Sequence, residues 1–350
     1  MTAILLSLVE LQNVPGGVEL FSTQLQRAFK DLRVVTAQEA RENGFFPKSD
    51  FSPLKEPWIA KSVCDYVQSM KKEWNPEVVI SNGMMGWKLD GKEMGCPVIT
   101  QFHGGYAPYA DYAIPKTSLE YYRTRFIYAR YERLCGKKSA ARASNSDFTQ
   151  QLVQDYYGIS SKSIPLGIDF ESFQPVSKNR SRKKLGIPLD KTVALFVGRP
   201  STVKGFDVIQ SIPKQFADVL FVWITFPAVQ SVEPNVRSVG PVPHHQLNEY
   251  YSAADVVLNP TRFEGFGYVS LEALSCNTPL IATATGALVE EKPPNAVLLK
   301  KPGVESYSKA LDGFLQDPFA ENSRKWVKER YPIDSFIQSY MDWRESGFSD

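Results

Sequence analysis

The chain has 350 residues, with 40 Lys and Arg against 38 Asp and Glu and a formal net charge of +2. At about 150 residues per domain, that length predicts two domains, each able to bury its own core. The small surplus argues against a dedicated nucleic-acid binder, whose phosphate contacts draw on excess cations, but leaves room for a local basic patch.

Residues 3–9 read as a first strand: the apolar run from Ile4 closes at Glu10, too short for a signal peptide and without its basic start. A glycine turn, Pro15-Gly16-Gly17, then leads into a helix over 18–29, whose Val18, Phe21, Leu25 and Ala28 fall on one face. Further strands are predicted at 32–36, 77–81, 97–101 and 141–145, and in the second half at 193–198, 220–225, 256–259 and 279–283. Short β-rich runs alternating with helical stretches predict α/β domains with parallel sheets. A Pro- and Gly-punctuated segment, 163–175, separates the two patterns. The expected division is 1–169, 170–331 and a terminal helix over 332–350 that packs across both domains. A soluble, cytoplasmic chain is expected, since the longest later apolar stretch, 219–229, falls far below the ~20 residues of a membrane span.

Four scattered cysteines, Cys64, Cys96, Cys135 and Cys276, show no paired spacing and no histidine at ligand spacing, which argues against a disulfide framework or a structural zinc site. No metal ligands are expected.

The most informative stretch runs from Asp255 to Leu274. A strand ends at Asn259, a loop carries Glu264, and Gly265, Phe266 and Gly267 lead through Tyr268 into a helix containing Glu272. Glycines at a strand-to-helix turn let backbone approach a ligand, and the first helical turn offers N–H groups to phosphate or sugar oxygens. Eight residues of helix would separate the two carboxylates by about 12 Å, beyond the pairing that glycoside hydrolysis uses. They read as two separate hydroxyl-binding groups. Arg199 and Lys204 lie in a second strand-to-helix loop, before a helix over 207–212, where a fixed and a mobile cation can neutralise a diphosphate. Open α/β sheets bind ligands beyond the carboxyl ends of their strands, where both loops fall. His103 follows another strand, in Thr100-Gln-Phe-His-Gly-Gly105.

Taken together, GGVE (16–19), HGG (103–105), IPLGID (164–169), GRPSTVKG (198–205) and EGFGYVSLEAL (264–274) resemble nucleotide-sugar glycosyltransferases of the GT-B fold, in the retaining family 4. The resemblance implies two Rossmann-like parallel-sheet domains facing a central cleft. It implies donor diphosphate contacts at Arg199 and Lys204, ribose contacts at Glu272, and donor-sugar contacts at Glu264 and the amides from Gly265 to Tyr268. Gly16 and Gly17 would approach the phosphate from the first domain, and His103 would touch the transferred sugar; Val242 is a main-chain candidate for the base. The implied reaction moves a sugar, from UDP by preference, to an acceptor hydroxyl with retention, without metal or cofactor. A catalytically silent donor-binding subunit is the alternative. An NAD-dependent oxidoreductase is disfavoured, because Gly265-Phe-Gly267 lacks a third glycine and falls late in its domain.

Structural readings stand beside these roles. Glu264 could cap a helix, Glu272 could be a solvated carboxylate, and Gly16 and Gly17 could form a turn that demands positive φ. Residues 121–142 hold seven Lys and Arg against Glu132 alone, a surplus of +6, interleaved with aromatics. They read as a long helix with a solvated basic face, or as a contact for anionic membrane or a phosphorylated acceptor.

Overall fold

The computed structural model describes residues 2–8, 16–47, 54–290 and 292–348; Val9, Glu10 and Pro15 lie outside them. The chain forms two compact units, Met1–Leu166 with Ile333–Asp350, and Gly167–Pro332.

The first unit holds six parallel strands: β1 (Ala3–Ser7), β2 (Leu32–Thr36), β3 (Val78–Asn82), β4 (Val98–Phe102), β5 (Ala141–Ser144) and β6 (Lys162–Ser163), in the order β2-β1-β3-β4-β5-β6. β1, β3 and β4 are buried at every position, as expected of a parallel sheet covered by helices on both faces. One face packs Ile4, Leu6, Val35 and Val79 against Val63 and Val67 of the helix Lys55–Trp74. The helix Gly17–Ala28 directs Phe21 and Leu25 inward. The terminal helix Ile333–Glu345 belongs to this unit: Phe336 packs edge-on and Tyr340 tilted against Phe21, and the Tyr340 hydroxyl donates to Gln101.

The basic segment is helical without a break from Leu119 to Lys138: an α-helical turn at Leu119–Tyr122 runs through a π-helical stretch, Arg123–Tyr128, into the α-helix Ala129–Lys138, while Arg142 lies on β5. Its acid, Glu132, is turned into the protein, where Tyr157 Oη donates to it at 2.5 Å and the Tyr106 N–H at 2.8 Å. Burial, offset in part by those two bonds, holds its pKa up at about 7.

The second unit has β7 (Thr192–Val197), β8 (Val219–Ile224), β9 (Val236–Val239), β10 (Val256–Asn259), β11 (Leu280–Thr283) and β12 (Ala296–Leu299), all parallel, in the order β12-β11-β10-β7-β8-β9. Phe196, Phe206, Trp223, Leu311 and Phe314 fill one face. Strands β6 and β9 escape sequence reading because they are short and only partly buried, with no fully apolar run; β12 is apolar throughout but only four residues long. The helix expected over 207–212 spans only Phe206–Ile209. A 3₁₀ turn follows at Pro213–Gln215, and Ile212 before it keeps helical φ and ψ. Asn277 has φ +57°, the left-handed conformation that commonly closes a helix. All four cysteines are free and buried. Among the described residues no helix is long and apolar enough to cross a membrane.

Candidate functional site

In the second unit, chain order reverses between β7 and β10, which lie side by side with Val256 opposite Ala194. Such a reversal opens a crevice between the loops leaving the two strands. The loop after β7 carries Arg199 and Lys204, and the loop after β10 carries Glu264, so both cationic and acidic candidates belong to the two loops at the switch point.

The loops are knitted together. Arg262 makes a bidentate bond to Asp207, both contacts at 2.7 Å, and its N–H donates to the Val203 carbonyl at 2.7 Å. Gly205, at φ +69°, sits where an added Cβ would fall 2.1 Å from the Pro260 carbonyl oxygen. A third loop joins from β11: Thr285 Oγ1 accepts from the Glu264 N–H at 3.1 Å, and the Ala287 N–H donates to the Phe266 carbonyl at 2.9 Å. Phe266 is buried edge-on against Tyr331, so its side chain anchors the glycine turn. Gly267, at φ +104°, opens the helix Tyr268–Ser275 with no side-chain cap.

This frame brings Lys204 and Glu264 into a direct ion pair, each side chain about one-fifth exposed. The sequence gives them separate ligands; the structure makes them each other's partner. Arg199 is exposed on the same loop, with no ion pair among the described residues. The site thus offers one unpaired guanidinium and one ammonium whose counterion an arriving phosphate can replace.

Glu272 lies deeper. It is 2% exposed, one oxygen accepting from His244 Nε2 at 2.7 Å and the other from the Tyr251 hydroxyl at 2.9 Å. A carboxylate accepts about four hydrogen bonds, so two remain unused, but it is not the solvated group of the structural alternative. His244 stands edge-on to Phe173, two residues beyond the buried Val242. The one signal in the sequence that could have found His244 is its place directly after the Gly240-Pro-Val-Pro243 stretch. Burial opposes the imidazolium, but the charge and hydrogen bond of Glu272, helped by Asp169, outweigh it and raise the His244 pKa. A raised folded pKa adds stability that is complete below the unfolded value and fades as pH rises through the folded one. His244→Gln should therefore cost about 1–3 kcal/mol at about pH 5.5 and less at about pH 8.5 in paired urea melts. An equal cost at both values would show that the charged pair adds nothing.

The remaining candidates lie in the first unit. Gly16 and Gly17 are exposed at the start of the helix Gly17–Ala28; Gly16 is extended, and neither has positive φ, so the strained-turn alternative is corrected. An added Cβ on Gly16 would instead meet the Glu19 carboxylate at 2.9 Å. His103 follows β4, its Nε2 3.0 Å from Asn82 Oδ1 at the end of β3 and its ring edge-on to Phe21. Burial pushes its pKa down to about 4, so at neutral pH it is an uncharged hydrogen-bonding group. Among the described residues, no three His, Cys, Asp or Glu converge as a metal site.

Two family models match successive parts of the chain: Glycosyltransferase Family 4 over residues 15–172 and Glycosyl transferases group 1 over 191–317. A D-inositol 3-phosphate glycosyltransferase from Catenulispora acidiphila is 31% identical over 43% of this chain and 42% of its own length, and one from Geodermatophilus obscurus is 33% identical over 42% and 38%. The chain thus matches about two-fifths of the length of these relatives. Among solved structures, sucrose-phosphate synthase from Thermosynechococcus elongatus has a TM-score of 0.79 at 17% identity, over 99% of both chains. Anabaena HepE in complex with UDP-glucose has 0.75 at 17%, over 99% of this chain and all of its own. Successive family matches on two parallel-sheet units, with the acidic and cationic loops at the switch point, establish that the chain belongs to the family 4 glycosyltransferases of the GT-B fold.

Proposed function

We propose that the chain transfers a sugar from a nucleoside diphosphate donor to an acceptor hydroxyl, with retention of configuration and without a metal ion. The observation that carries this reading is the Lys204–Glu264 pair beside exposed Arg199 on the switch-point loops. In it, the second unit holds the donor and the first the acceptor. Arg199 and Lys204 stabilise charge developing on the leaving diphosphate, together with the uncapped start of the helix Tyr268–Ser275. Lys204 leaving Glu264 frees that carboxylate for a sugar hydroxyl, while Glu272, held by His244 and Tyr251, takes the ribose. The donor phosphate helps to deprotonate the acceptor on the face it leaves. The UDP-glucose bound by HepE supports a UDP-sugar, and the names of the inositol phosphate enzymes make a cyclic polyol phosphate the first acceptor to assay.

A thermal-shift panel of UDP-sugars, GDP-sugars and NAD tests the donor. The matching ligand at 100 times its dissociation constant should add about 2.7 kcal/mol of stability. EDTA should leave turnover intact, and the product anomer, read by NMR, should match the donor. Activity lost to EDTA and restored only by a divalent ion would overturn the metal-independent part. A chain that binds donor but neither transfers nor slowly hydrolyses it would be the silent subunit.

A further inference from the structure

The basic segment of the first unit builds a surface on which the proposed transfer places no residue. Phe126, Arg130, Arg133, Leu134 and Lys137 recur at offsets of 0, 4, 7, 8 and 11, which places them along one side of the π- and α-helical stretch. The opposite side, with Tyr128, Ala129, Glu132 and Cys135, is buried. The outward side and Tyr156 from the helix Asp147–Tyr157 line a groove of about 430 Å³.

Its chemistry is two-sided. Leu119, Tyr122, Phe126 and Leu134 are 88%, 54%, 57% and 38% exposed, four of the eleven exposed large apolar side chains among the described residues within sixteen positions of the chain. Tyr122 and Phe126 are stacked, with ring centroids 6.2 Å apart, so they form one apolar patch. Contiguous exposed apolar surface rimmed by charge marks a contact site. Arg125 is committed to Asp111 at 3.2 Å, and Arg133 Nε donates to the Tyr157 carbonyl at 2.9 Å. Arg130 and Lys137 are exposed and have no ion pair among the described residues. With Glu132 turned inward, the groove has two uncompensated cations beside exposed rings. A soluble anion would satisfy the cations and leave Tyr122 and Phe126 in water; an anionic bilayer satisfies both, with phosphates at the cations and rings at the headgroup level.

We propose that this groove docks the first unit on an anionic phospholipid bilayer, with Arg130 and Lys137 on lipid phosphates and Tyr122 and Phe126 entering the interface. The docking does not depend on the proposed reaction. Co-sedimentation of the full chain with phosphatidylcholine vesicles, with and without phosphatidylglycerol, tests it at low salt, where surface charges are least screened. Binding is expected only with phosphatidylglycerol, at least about tenfold weaker for Arg130→Glu/Lys137→Glu, whose fold is checked by circular dichroism. The milder Arg130→Gln/Lys137→Gln pair should bind at an intermediate level. Phe126→Trp should add a blue-shifted emission over wild type on the anionic vesicles. Equal binding to both vesicles, charge-reversed protein that binds undiminished, no such added emission from the Phe126→Trp variant, or release from vesicles by glycerol phosphate would each overturn the proposal. Donor turnover measured in solution is read separately, so its loss would count against the reaction and not the docking.

Discussion

Glu264→Ala is expected to lower kcat/KM for the donor by roughly 10²-fold or more while leaving the protein folded. The carboxylate contributes little to the fold: its ion pair with Lys204 is partly open to solvent, and such pairs add about 1 kcal/mol or less. The loop is positioned through its backbone instead, by the bond from the Glu264 N–H to Thr285 and the Ala287 bond to Phe266, neither of which needs the side chain. In the proposed reaction, the substitution removes the group that orients Lys204 and that, once Lys204 turns to phosphate, receives a sugar hydroxyl. Lys204→Ala should weaken donor binding as well, and the effects should not add, because each variant already breaks the shared pair. Glu264→Gln keeps a hydrogen-bonding group without the charge, so it should retain more affinity than turnover. Steady-state kinetics and donor titration on the four proteins of the cycle give the coupling. A double variant whose loss equals the product of the single losses would mean that the observed pair has no part in turnover.

The parts of this arrangement legible in the sequence are those written in contiguous residues. β1, β3, β4 and β10 appear as apolar runs because both faces of a covered parallel sheet are buried, and the switch-point loops stand out through glycines beside charges. The Lys204–Glu264 pair was not legible, since sixty positions separate partners that meet only when β7 and β10 pair. Nor was the burial of Glu272, because a carboxylate in a helix ordinarily predicts a solvated face. Its partners, His244 and Tyr251, come from the segment after β9, a strand too short and too exposed for its period to show. The basic segment was legible as a helix with a solvated basic face, but its π-helical stretch shifts the register, and only the fold shows that Glu132 points inward while Arg130 and Lys137 do not.

The other large effect falls on two glycines that hold the loops together. At Gly286 a side chain has no room: its φ is +60°, and a Cβ built there would lie 2.4 Å from the Phe266 carbonyl oxygen, the acceptor for the Ala287 N–H. Gly205, at φ +69°, would press 2.1 Å against the Pro260 carbonyl. Both obstacles are backbone, so no rotamer change relieves them, and the loop bearing Glu264 must move. Gly186 is the control, with φ +63° and nothing within 4 Å of its added Cβ. Gly186→Ala should cost only the left-handed conformation, about 1–2 kcal/mol. Gly205→Ala and Gly286→Ala add the backbone collision, so each should cost about 3 kcal/mol or more. Because that displacement falls on the switch-point loops, both variants should also lose donor affinity, which Gly186→Ala should keep. Urea melts of the three variants beside donor titrations decide the matter. If all three lose the same stability and bind donor alike, the close approaches at Pro260 and Phe266 do not position the site.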